Sequence, residues 1–203
     1  SRILIETVVK TTLKNLKEDP ERSIRNLVDM ALHFSDGRFQ QSFFQTAQTM
    51  LENENSPYYA LVRNLISYAD TEHLFTFGMD LGYNSCTYGA QQIRQNEKRL
   101  RHNIPWTILL QTGDLSPVQL GSYSTAISEG EGLGIYTWML FPTADHEKVL
   151  DLIRDHPDSA FFLFCAPEDL SASLLDGFSE LKNIMPVLHY REEQTEGYAR
   201  LRA

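Results

Sequence analysis

Near Asp70 the spacing of apolar residues changes from one period to another, and that switch limits what this 203-residue chain can fold into. Before it, apolar positions recur every three or four residues. Ile5, Val8, Val9, Leu13 and Leu16 make one stripe, and Ile24, Leu27, Val28, Ala31 and Leu32 a second. Phe39, Phe43, Phe44, Ala47 and Leu51 make a third, followed by Leu61, Val62, Leu65 and Tyr68. This is the period of amphipathic helices. Asp19-Pro20 and Ser56-Pro57 supply a capping side chain and a proline for a first turn, while Asp36-Gly37 breaks the chain between stripes. Residues 1–70 are therefore expected to form a helical bundle or cap.

After the switch, short runs rich in β-branched and aromatic residues appear at His73–Asp80, Pro105–Gln111, Ile135–Phe141, Ala160–Cys165 and Ile184–Tyr190. Helical segments separate them: Thr87–Arg101, Ser116–Gly132, Asp145–Asp155 and Ser171–Leu181. A strand repeat of roughly 25–32 residues leaves room for a helical crossover and is too long for hairpins. Runs such as Phe161-Phe162-Leu163-Phe164 are apolar on both faces, as in parallel strands covered on both sides. The expected fold class is α/β: an N-terminal helical region, then about five βα units in residues 71–203, as a partial barrel or an open parallel sheet. In either case ligands bind at the carboxyl ends of the strands. The loops there select Asp80, Asn84, Ser85, Thr112 and Thr143 as ligand-binding candidates.

Charge narrows the partners. With 27 acidic against 18 basic residues the net charge is −9, and nucleic-acid binding, which needs clustered Lys and Arg, is not expected. No apolar run reaches the roughly 18–20 residues of a membrane span, so no membrane is expected either. Two cysteines, Cys86 and Cys165, are too few for a disulfide framework or for a zinc site of their own, and they point to a reducing cytoplasm.

Three residues carry possible catalysis. Cys86 enters a predicted helix N-terminus, where the dipole favours a thiolate; as a small buried side chain it would be inert. Asp114 follows the second predicted strand as a general acid/base, and His189 ends the fifth, where it can partner a nucleophile. Asp145-His146-Glu147 has the composition of a site, but neighbouring helical residues diverge and an acidic first turn suits the helix dipole. The six histidines show no paired metal-ligand spacing, and no metal is expected. Gly130-Glu131-Gly132-Leu133-Gly134 precedes a predicted strand, so it is expected to end a helix and not to cradle a phosphate.

The segment Gly82-x-x-x-Cys86-x-x-Gly89, with Tyr88 just before its end, resembles the cluster loop of radical S-adenosylmethionine enzymes. That loop holds three cysteines spaced C-x-x-x-C-x-x-C after the first barrel strand. Thr112-Gly113-Asp114-Leu115-Ser116-Pro117 resembles the family's glycine-glycine-glutamate-proline loop. The resemblance covers about residues 73–190 and implies a partial βα barrel. Two of the three cluster positions are glycines here, and glycine cannot ligate iron. What is implied is a degenerate module without the cluster or its reductive cleavage, and no cofactor.

Three functional readings follow. The first is a noncatalytic binding module for a small molecule at the strand ends. The second is an enzyme on the same scaffold using Cys86 or Asp114. The third is an interaction fragment whose Phe39, Phe43, Phe44 and Tyr58-Tyr59 meet a protein partner or the rest of a longer chain. The sequence stops at Arg200-Leu201-Arg202-Ala203, inside the helix expected after the fifth strand, so a C-terminal region completing the site is expected to be missing.

Overall fold

The computed structural model describes residues 2–16, 18–35 and 37–192. Asp36, Glu193, Glu196 and the C-terminal run lie outside the described residues, as does the side chain of Phe39. The chain divides into two compact units, one up to Phe75 and one from Thr76.

The first unit is helical: α1 (Arg2–Leu16), α2 (Pro20–Phe34), α3 (Arg38–Glu52), α4 (Pro57–Tyr68) and the first half of α5 (Thr71–Met79). Asp19 caps α2 by accepting from the Arg22 backbone N–H at 3.1 Å, with Pro20 in the first turn. Ser56 precedes Pro57 at α4 but makes no capping hydrogen bond through its side chain. Leu16, Leu51 and Tyr59 are buried, and the Tyr59 hydroxyl donates to the Leu51 carbonyl at 2.5 Å. Phe43, Tyr58, Leu61, Leu65 and Tyr68 are exposed.

The second unit is a four-stranded parallel sheet alternating with helices. After α5 come a π-helical segment (Asp80–Gly89), α6 (Ala90–Leu100), β1 (Thr107–Thr112), α7 (Pro117–Leu133) and β2 (Thr137–Pro142). Then follow α8 (Lys148–Arg154), β3 (Ala160–Cys165), a short 3₁₀ turn (Pro167–Asp169), α9 (Ala172–Glu180) and β4 (Ile184–Leu188). Strand order equals chain order, with Leu109, Met139, Phe162 and Met185 in register across the sheet.

Side-chain alternation divides the sheet's faces. Trp138, Leu140, Phe161 and Leu163 point to one face and are almost fully buried in a core with Ile127 of α7, Val149 and Ile153 of α8, and Leu174 of α9. All three crossover helices therefore cover the same face. On the other face Met139, Phe141, Phe162 and Phe164 are half-buried, and Leu109 is 60% exposed. Phe77 of α5 stands edge-on to Phe162 there, with ring centroids 5.4 Å apart.

The sheet has four strands and not five, because His73–Asp80 is helical. Asp70 accepts the His73 backbone N–H at 2.9 Å and starts α5. A short apolar run fits a helix or a strand equally well, and the Asp70 cap marks this one as a helix start. The predicted first βα loop does not exist; its residues belong to the π-helical segment, where the Ala90 N–H reaches back to the Ser85 carbonyl.

Two glycines of α7 differ in how closely their surroundings pack. A Cβ on Gly130 of α7 would lie 2.6 Å from the Trp138 ring, whereas one on Gly121 of the same helix would meet nothing within 4 Å. Gly130→Ala is expected to destabilise the protein by about 1–3 kcal/mol through overpacking. Gly121→Ala should be neutral or stabilise by up to ~1 kcal/mol. Paired urea denaturation curves provide the measurement, with equal behaviour of the two variants as the contrary result.

Candidate functional site

The residues selected from sequence fall at opposite ends of the sheet. Asp80, Asn84 and Ser85 are all buried at the amino end. The Thr137 hydroxyl, at the start of β2, donates to Ser85 Oγ at 2.7 Å. The Asn84 amide donates to the Asp80 carboxylate at 3.0 Å and to the Asp158 carbonyl, just before β3, at 2.9 Å. Gly89 backs onto Gly134 so closely that a Cβ would lie 2.3 Å from the Gly134 carbonyl oxygen. Thr112 and Thr143 sit at the carboxyl end, where the Thr143 N–H donates to the Thr112 carbonyl at 2.8 Å. Six strand residues separate these ends by roughly 16 Å. Asp80, Asn84 and Ser85 thus form no common site with Thr112 and Thr143.

The amino end is a stability face. The turn entering β3 carries the buried His156, whose Nδ1 lies 3.2 Å from Glu131 and whose Nε2 lies 3.0 Å from the Ser124 hydroxyl. Ser159 donates to the other Glu131 oxygen at 2.7 Å. The buried Asn183 amide donates to the carbonyls of His156 and Ser159 at 3.0 and 3.1 Å and, more weakly, of Ile153 at 3.4 Å. Ser124, His156 and Glu131 have the partner order of a hydrolase relay. However, Ser124 lies in the middle of α7, where neighbouring backbone N–H groups are spent on helix hydrogen bonds and cannot serve an oxyanion. The network works as a clamp between α7 and the turn before β3.

The carboxyl end is built differently. A cavity of about 480 Å³ opens on the sheet's half-covered face. Leu109, Phe141 and Phe164 form its floor, and Gln111, Thr143, Asp169, His189 and Arg191 surround it. Phe141 and Phe164, from neighbouring strands, stack with ring centroids 4.1 Å apart and planes within 13°. Hydrogen bonds tie its loops into a rim. Asp145 accepts the Leu115 N–H at 2.9 Å, linking the loops after β2 and β1. His146 Nε2 lies 3.3 Å from Asp169, which also accepts the Ala166 N–H at 2.8 Å. Ser171 donates to Glu147, and Arg191 pairs with Glu168 at 2.9 Å. Positions 145–147 lie in the turn before α8, not in the helix expected from Asp145 onward, and with Asp145 at a left-handed φ of 53° each side chain reaches a different partner.

Of the catalytic candidates, His189 lines the cavity and Asp114 is exposed in the loop after β1, beside Asp145. Cys86 sits between Ser85 and Gly89, at the other end of the sheet, so it cannot partner His189. Burial pushes its thiol pKa up, opposite to the expected dipole effect. Cys165 borders the cavity floor, and burial together with the Asp169 charge pushes its thiol up to about 11. Among the described residues no group of three or more His, Cys, Asp or Glu is arranged to hold a metal, and no helix is long and apolar enough to cross a membrane. Sequence reading did not select Gln111, Phe141, Phe164, Asp169 or Arg191; the equal spacing of Phe141 and Phe164 from their strand ends emerges only with the observed end of β2 at Pro142.

Comparison with known proteins finds no matching family model, no similar curated protein and no similar solved structure.

Two measurements check this division. Asn183→Ala should cost about 1–3 kcal/mol in denaturant unfolding, because the buried Ser159 carbonyl loses its side-chain donor and those of His156 and Ile153 keep only a backbone N–H at 3.2 Å. Asp145 titrates below the usual carboxylate range, first because it accepts the Leu115 N–H and then because Lys148 lies beside it. A depressed folded pKa adds stability that is fully present above the unfolded value, ~3.9. That stability is lost as pH falls through the lower folded value. The stability difference between wild type and Asp145→Asn should therefore be constant near neutrality and shrink only below about pH 4.

Proposed function

We propose that this chain is a noncatalytic α/β binding module, similar in its βα order to a partial barrel of the radical S-adenosylmethionine type, without an iron–sulfur cluster. Its ligand is a small molecule held at the carboxyl ends of β1–β4. The observation that carries this reading is the cavity of about 480 Å³, at the end of the sheet where α/β folds bind ligands and within the size range of small-molecule sites. The cross-braced rim supports it, since a site held by its own hydrogen bonds needs little ordering on binding.

The enzymatic reading through Cys86 has less support. Its thiol is held protonated by burial and shares no site with Asp114 or His189. A protein partner on the helical unit draws support from exposed Phe43, Leu61 and Tyr68.

A fragment-library titration followed by backbone NMR is expected to give saturable shifts at Gln111, Thr143, Phe164 and His189. Saturable shifts confined to Asn84, Ser85 and Cys86, or none with any fragment, would count against the cavity. Anaerobic iron–sulfur reconstitution should leave the protein without stoichiometric iron. Alkylation of Cys86 by iodoacetamide at pH 8 should be slower than that of a free model thiol, and fast alkylation would return the nucleophile to consideration.

A further inference from the structure

We infer that the cavity at the strand ends is selective for a planar aromatic carboxylate, an inference that rests on the binding reading above and specifies its ligand. Two features set the chemistry. The stacked Phe141–Phe164 pair and the exposed Leu109 make a flat apolar floor. A third aromatic ring can add to such a pair in an offset or edge-on arrangement. An aliphatic chain of equal area would gain burial but no such ring contact.

The charge around the floor selects the other end of the ligand. Asp169 is the carboxylate in the lining, and its Oδ2 is already shared by the Ala166 N–H and His146. Drawing it toward a ligand cation would undo the link between the loops after β2 and β3. Arg191 is placed differently. Its pair with Glu168 joins side chains that are 54% and 48% exposed. Such solvated pairs contribute little net stability, so a ligand carboxylate can compete with Glu168 for the guanidinium. The guanidinium fork matches a carboxylate through two parallel N–H donors. His189, in the same lining, adds a nearby ring nitrogen. An aromatic body on the floor with its carboxylate toward Arg191 uses both features together.

Calorimetric titration of the whole chain with indole-3-acetate and with tryptamine tests this, since the two share a ring and differ in the charge of the side group. Indole-3-acetate is expected to bind several-fold more tightly than tryptamine, and Arg191→Gln to weaken it up to about fivefold. Phe164→Leu should weaken both ligands, with an unchanged circular dichroism spectrum confirming that the variant is folded. Tryptamine binding as tightly as indole-3-acetate, or Arg191→Gln without effect, would overturn the selectivity and leave the cavity's binding role standing. If neither ligand binds, the aromatic-carboxylate class falls, and the fragment titration decides the broader reading on its own.

Discussion

Covering a sheet from one side is the constraint on which the second unit depends. The four parallel strands run in chain order, and each connecting helix returns across the same face. The covered face is completed by Trp138, Leu140, Phe161 and Leu163, and the opposite face receives only partial cover. An antiparallel sheet often leaves one face to solvent with polar residues on it, but here Leu109, Met139, Phe141, Phe162 and Phe164 keep the open face apolar. Apolar surface of that kind implies something to bind or something to cover it. Phe77 covers part of it, and the cavity lies along another part, at the carboxyl end.

The two ends of the sheet divide the labour between stability and recognition. At the amino end, buried side chains make hydrogen bonds to backbone carbonyls of the turn entering β3 and fix its path. At the carboxyl end the linked groups are more exposed, the partners lie on different loops, and a cavity remains between them. The same residue types serve both ends. What differs is whether a side chain closes a gap or frames one.

Much of this was legible before any coordinates. Ala160–Cys165 is the strand expected from its run of apolar residues, and the remaining three strands lie within a few residues of their expected positions. The helices of the first unit follow their stripes closely. The failure at His73–Asp80 is local in cause and wide in effect. Leu74, Phe75, Phe77 and Met79 fit a strand or a helix, and the Asp70 cap marks the start of a helix. Once that run is read as a strand, Asp80, Asn84 and Ser85 become loop residues at the wrong end of the sheet. The floor of the cavity was hidden for another reason: β2 and β3 are apolar on both faces, so alternation could not tell Phe141 and Phe164 from core.

The π-helical segment has a consequence for how this chain tolerates changes in length. Its hydrogen bonds close over one residue more than those of an α-helix, as the Ser85–Ala90 bond illustrates. Removing one residue within Asp80–Gly89 would take one step out of the spiral and change the angular position of the residues that follow it about the helix axis. Gly89 would leave its seat against Gly134, and Ile93 would rotate out of the core. Loops elsewhere can gain or lose residues at modest entropic cost. Here residue count is itself a structural parameter, and the segment functions as a gear tooth that keeps two parts of the chain in phase.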